Sequence, residues 1–217
     1  MGRPKLSEEV RNEASRRLIT AAKNLIERQG LQRVTIRGVA AEAGAYMAEQ
    51  YMYFKDLDEL LLFACVDILQ DYARELTQVQ GQTHSQEEYY LAVWEIFCRH
   101  AFRQPACMNH LFFSAHSGRL EEVIAAYYKL YPELLADKDQ ILRAMMQGAD
   151  LAQRNMQILR PLALSSTSPE RLALVNEATI AFFRSLLDGK LKDPQGMCDE
   201  ARTQKMLEAC RLFLRLL

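Results

Sequence analysis

No stretch of the 217-residue chain reaches the roughly 18 consecutive apolar residues that a membrane span requires, because charged side chains interrupt every apolar run. Met1 to Val10 lack the apolar core of a secretory signal, so no membrane partner and a cytoplasmic location are expected. Cys65, Cys98, Cys107, Cys198 and Cys210 stand singly, with no Cys-x-x-Cys pair, which argues against a zinc site or a disulfide framework. They are expected as buried free thiols acting as small hydrophobes. Strand signals are missing too: there is no sustained alternation and no Asn-Gly or Asp-Gly hairpin between apolar runs. His84, His100, His110 and His116 fall in no metal-ligand or nucleophile–base spacing, so no metal, cofactor or catalytic residue is expected. Charge of one sign is also lacking. With 27 Lys+Arg against 28 Asp+Glu the net charge is −1, which by itself points away from nucleic acid.

What remains is helical periodicity in a chain that is 49% hydrophobic, too apolar for disorder. The expected fold class is all-α. A first helix spans about 8–29, with Leu18, Ile19, Ala22, Leu25 and Ile26 in one stripe and Gly30 as a left-handed C-terminal glycine. Two short helices follow, about 35–43 with Thr35 as N-cap and about 46–53, separated by Gly44. Asp56 with Glu59 resembles a capping box for a helix to about Gln80, and Gly81 to His84 form a break. Ser85 with Glu88 opens the next helix, which Pro105 ends. Further helices are expected at about 106–116, 120–131, 132–159, 169–188 and 199–217.

Two helices of about eight residues joined by a tight turn through Gly44 are the layout of a helix-turn-helix, which lays a short helix in the major groove. The same layout occurs in ordinary bundles, and charge distribution favours the first alternative. Residues 1–55 hold ten Lys/Arg against six Asp/Glu, a net of +4, while the other 162 residues hold 17 against 22, a net of −5. A basic head on an acidic body is what phosphate neutralisation asks for. Arg3 and Lys5, around Pro4, make a cationic arm of the kind that enters a minor groove.

The string Arg17-Leu18-Ile19-Thr20-Ala21-Ala22, then Leu25-Ile26, Gly30, Val34-Thr35-Ile36, Val39-Ala40, Ala43-Gly44 and Tyr51-x-Tyr53-Phe54 resembles the N-terminal domain of the TetR family of bacterial transcriptional regulators. The likeness is detailed over residues 12–63; beyond them it extends only to length and helical layout. The resemblance implies a homodimer on palindromic double-stranded operator DNA, with a C-terminal domain whose ligand resets the separation of the two heads. It divides the chain into a DNA-binding domain, 1–55, and a ligand-binding and dimerisation domain, 56–217. Thr35 would then meet a phosphate, Tyr51 and Tyr53 would place hydroxyls on the backbone, and Tyr46, Met47 and Glu49 would face the groove. Arg37 and Lys55 complete the expected DNA-binding set. Departures from the family pattern are Tyr46 for Ser or Thr, Glu49 for a small residue, Gln50 for an aliphatic one, Leu57 for Lys, and Gly38 for a polar one. They leave open an alternative, a TetR-like interaction protein with weak or lost operator binding. An all-helical enzyme is the least favoured reading.

In the body, large and soft side chains suggest a pocket for a small apolar or aromatic effector, although such a stripe is more often plain core. The expected ligand-binding residues are Trp94, Phe97, His100, Phe112, Phe113, His116, Met145, Gln147, Asp150 and Met156. Asn155 is also singled out, as a polar residue in apolar surroundings. The last two helices carry apolar residues at spacings of three and four, which in a monomer could be core. The resemblance assigns Val175, Thr179, Phe182, Phe183, Leu186, Met206, Cys210, Phe213 and Leu217 to a two-fold interface.

Overall fold

A computed structural model describes residues 7–79, 83, 85–136 and 138–217. Among them there is no strand. Helix α1 (Glu8–Gln29) begins where the Ser7 hydroxyl accepts from the Val10 amide, and buries Leu18, Ile19, Ala22, Leu25 and Ile26. Gly30 has positive φ (83°) but an extended ψ of 153°, so it ends α1 without the expected left-handed conformation. Helix α2 (Ile36–Ala43) is capped by Thr35, whose hydroxyl accepts from the Gly38 amide at 3.1 Å. Gly44 closes it at φ 61°, ψ 35°, a left-handed conformation open to glycine at no steric cost.

Helix α3 is shorter than expected, Met47–Gln50 only. Tyr46 offers no side-chain cap, and the chain past Gln50 tightens into turns in which Met52 and Tyr53 donate to the carbonyls three residues back. Helix α4 (Leu57–Val79) starts from Asp56, whose carboxylate accepts from the Glu59 amide at 2.7 Å, while Glu59 accepts from the Lys55 amide rather than from Asp56. It packs on α1 as well as on the three α-helices that follow it, and its buried face continues through Leu76, so one helix carries contacts from the head into the body.

Helix α5 (Gln86–Arg103) is capped by Ser85, and Pro105 both stops it and takes the first position of α6 (Pro105–Phe112). Helix α7 spans Leu120–Leu130. The single helix expected over 132–159 is instead three pieces: a 3₁₀ turn at Pro132–Leu135, α8 (Gln140–Gln147) and α9 (Leu151–Leu159). Asp139 and Asp150 each cap a new helix start, accepting at 2.7 Å from Leu142 and Gln153, and Gly148 is extended between them. Periodicity could not register these restarts because the apolar spacing runs on across them. Helix α10 (Pro169–Lys192) passes through Gly189, four residues beyond its expected end, and α11 spans Asp199–Leu214. Arg202 of α11 donates to the carbonyls of Leu186, Asp193 and Met197, holding the end of α10.

The body core is aromatic. Phe183 is fully buried, with ring centroids of Phe97, Trp94, Phe102 and Phe113 at 5.1, 5.6, 6.1 and 6.2 Å. Cys65, Cys98, Cys107 and Cys210 are buried free thiols; Cys198 departs from expectation by lying exposed before α11.

Candidate nucleic-acid interface and ligand cavity

The helix pair α2–α3 presents Thr35, Arg37, Tyr46, Met47, Tyr51 and Lys55 to solvent, Tyr46 most of all at 86% exposure. Among the described residues, neither Arg37 nor Lys55 has a carboxylate within ion-pair distance. The face thus carries cations and phenolic hydroxyls open to solvent. Tyr53 is half-buried and packs against the core, which draws it back from the face. Arg3 and Lys5 lie outside the described residues.

Glu49 does not stand alone. Arg17 of α1 donates to its carboxylate at 2.6 Å, so one cation of the head is already spent on one acid. Arg28 does the same for Glu42 at 2.7 Å, and that hydrogen bond holds the Glu42 carboxyl below its usual range. Gln50, one residue past Glu49, is 1% exposed, and neither its amide nitrogen nor its oxygen has a partner. Such burial costs about 1–3 kcal/mol.

In the body, α4, α5, α8 and α9 enclose a cavity of about 20 Å³, room for roughly one water. Trp94 and Phe97 of α5 line it, with Val93 beside them. Tyr72 comes from α4 and Met145 from α8, and α9 supplies Leu151, Arg154, Asn155 and Ile158. The Tyr72 hydroxyl meets the Met145 sulfur at 3.9 Å, and burial pushes the phenol's pKa up. Asn155 is engaged at both ends: its oxygen accepts from Trp94 Nε1 at 2.9 Å and its nitrogen donates to Asn176 at 2.8 Å.

Arg154 is 8% exposed. Its Nε donates to the Gly148 carbonyl at 3.1 Å and its Nη2 to the Met146 carbonyl at 2.9 Å, at the C-terminal end of α8. The guanidinium carbon lies 5.5 Å from the centre of the Phe112 ring. A Cβ at Gly148 would fall 2.8 Å from Arg154 Cγ, so only glycine lets the arginine fold back on that carbonyl. Burial lowers the pKa of the guanidinium from its ordinary value.

Of the expected ligand residues, Trp94, Phe97 and Met145 form the wall, and Phe112 backs Arg154. The others lie elsewhere. His100 faces Glu75 at 3.0 Å at the edge of α4–α5. Burial raises the Glu75 carboxyl, but hydrogen bonds from His100 and Arg99 outweigh it and leave the pKa lowered. His116 sits 3.8 Å from Asp58 at the start of α4 and beside His110. Phe113 packs on Phe183 and under Arg184. Gln147 and Asp150 are exposed, Asp150 serving as the α9 cap, and Met156 is half-buried off the wall.

Sequence reasoning passed over Tyr72 and Arg154. The signal for Arg154 was present: Leu151, Arg154, Asn155 and Ile158 are spaced i, i+3, i+4, i+7, one helical face.

The dimer set needs correction in part. Val175, Thr179, Phe183, Met206 and Cys210 are buried by their own chain, so their side chains belong to the protomer core. Phe182, Leu186, Phe213 and Leu217 remain half-buried, and the outward apolar residues of α10 and α11 are Leu174 and Leu212, 63% and 58% exposed. Two helices each carry an inner and an outer apolar stripe, and spacing alone does not say which one the protomer covers. Among the described residues no three His, Cys, Asp or Glu cluster as a metal would require, and no helix is long and apolar enough to cross a membrane.

No protein-family profile matches the chain. It is 30% identical over 108 residues to the HTH-type transcriptional regulator BetI of Brucella anthropi, covering 49% of this chain and 56% of that protein. The chain thus spans little more than half the length of that curated relative. Among solved structures it is similar to RolR in complex with resorcinol, at a TM-score of 0.59 and 18% identity over 97% of this chain and 95% of that one. It is also similar to FadR of Thermus thermophilus, a transcriptional repressor bound to lauroyl-CoA, at 0.56 and 16% over 92% and 93%. A transcriptional regulator from Rhodococcus gives 0.56 and 17% over 96% and 98%.

Proposed function

We propose that this chain, whose fold is that of the TetR-family transcriptional regulators, is a ligand-responsive repressor. In this reading residues 1–55 bind palindromic operator DNA and residues 56–217 dimerise and take up a small apolar or aromatic effector. The observation that carries it is the exposed end of α2–α3, where Thr35, Arg37, Tyr46, Tyr51 and Lys55 stand together without carboxylate partners on Arg37 or Lys55. Effector binding has a route to the head along α4, which holds Tyr72 on the cavity. At its other end Arg119 pairs with Asp56 and Glu59 at 3.2 and 2.7 Å. Lys23 of α1 meets Asp67 of α4 at 3.1 Å, and Tyr127 donates to the same carboxylate, so the head is tied to the body by buried and half-buried polar contacts.

A second reading, an interaction protein of the same fold without operator binding, is favoured by the Arg17–Glu49 pair, which removes one cation from the phosphate face. Selection of bound sequences from random duplex DNA separates the two. A palindromic sequence whose affinity falls steeply with salt is the expected result; absence of any enriched sequence would leave the interaction protein.

A further inference from the structure

Arg154 has no part in the repressor function proposed for the chain. A guanidinium stays protonated in proteins, and burying it is costly unless it is paired. Here it is more than nine-tenths buried and lines a cavity whose remaining walls are chiefly Val93, Trp94, Phe97, Met145 and Ile158. Among the described residues no carboxylate lies within ion-pair distance of it. Two backbone carbonyls and the face of Phe112 supply partial negative charge, but Nη1 has no hydrogen-bond partner among those residues. Asn155 is held in place by Trp94 and Asn176.

We propose that this cavity is the subsite for a small amphipathic monocarboxylate, its apolar body against Trp94, Phe97 and Met145 and its carboxylate on Nη1 of Arg154. The proposal rests on the reading of the body as an effector-binding domain, and it narrows the effector from apolar to apolar with one negative charge. One cation suits one carboxylate; a phosphate monoester would bring nearly two negative charges into an apolar site with a single cation. The cavity holds about one water as it stands, so entry requires a wall to yield. Met145 is the pliable one, an unbranched thioether whose sulfur has the long Tyr72 contact as its polar partner.

The chain has a single tryptophan, and it is on the cavity wall. Its fluorescence therefore reports occupancy directly. Titration of the full chain near neutral pH with benzoate and octanoate, each against its neutral amide, tests the proposal. The acids are expected to change Trp94 emission and to bind about tenfold or more tightly than the amides, the worth of one charge-assisted hydrogen bond. Arg154→Met is expected to abolish that preference and Arg154→Lys to keep part of it. Should Arg154→Met fail to fold, the acid-to-amide ratio on the unaltered chain and on Arg154→Lys decides. Amides binding as well as acids, no emission change at millimolar acid, or a preference that survives in Arg154→Met would overturn it. The last outcome would leave Arg154 as a cap for the end of α8. If the acids bind selectively while no DNA sequence is enriched, the subsite stands and the repressor reading falls; acid binding that leaves an enriched DNA complex unchanged removes only the effector role.

Discussion

Head and body treat buried and charged polar groups in opposite ways. On the head, Arg17 and Arg28 face water, where a charge needs no partner, and both have carboxylates at 2.6–2.7 Å. In the body, Arg154 is buried, where a counter-charge matters most, and it has two carbonyls and the face of Phe112 but no carboxylate. The amides reverse the pattern. Asn155 in the body has both ends hydrogen-bonded, whereas Gln50 in the head is buried with neither end satisfied. Other buried polar atoms without a partner are Arg16 Nε in the head and the Tyr89 and Tyr90 hydroxyls in the body. Gln50 lies under the α2–α3 face and Arg154 lies on the cavity, places where function and stability can compete.

The largest effect should come from the body core. Phe183→Ala removes the ring that four other aromatics pack on and is expected to cost about 3–5 kcal/mol by chemical denaturation. A loss below about 1 kcal/mol, the scale of an exposed site, would return Phe183 to the dimer surface and break the contrast. Next is a gain. Gln50→Leu replaces an unpartnered amide by an apolar group of similar size, and is expected to stabilise the chain by about 1–3 kcal/mol. A neutral or destabilising result would mean that Gln50 is satisfied in solution, and head and body would then treat their amides alike.

The smallest change in stability is expected for Glu49→Ala. The pair it breaks is half-exposed, with side chains 47% and 23% accessible, and is worth about 0–1 kcal/mol. Its effect on DNA is the informative one. Freeing Arg17 should steepen the dependence of log affinity on log salt by about one unit and tighten binding at low salt. An unchanged slope would show that Arg17 never reaches the phosphates and that its pairing with Glu49 is purely structural.

The elements that could be read from the sequence are those whose instructions are local. Ser7, Thr35, Ser85 and Ser168 accept from amides three residues on, and Gly44 turns the chain between two short helices. Each of these acts within one helical turn, so spacing suffices to find it. The two short helices about Gly44 were accordingly legible, apart from the early end of α3, whereas the partial burial of Tyr53 and the burial of Gln50 were not. The stretch 132–159 was not, because Asp139 and Asp150 restart helices without disturbing the apolar period. Nor was the inner-versus-outer choice on α10 and α11, where Val175 and Phe183 turn inward while Leu174 stays outside.

The cavity depends on residues far apart in the chain. Tyr72, Trp94, Met145 and Arg154 come from four helices, and each by itself reads as an ordinary core or surface residue. The sequence by itself determined an all-helical chain, a basic head on an acidic body, and the order of side chains on the head's outer face, because helix capping and net charge are set by neighbours in sequence. Only the tertiary structure decided that Arg154 would be buried without a carboxylate and that Glu49 would be neutralised by Arg17. Both outcomes depend on which helices pack together, and no spacing along one helix carries that information.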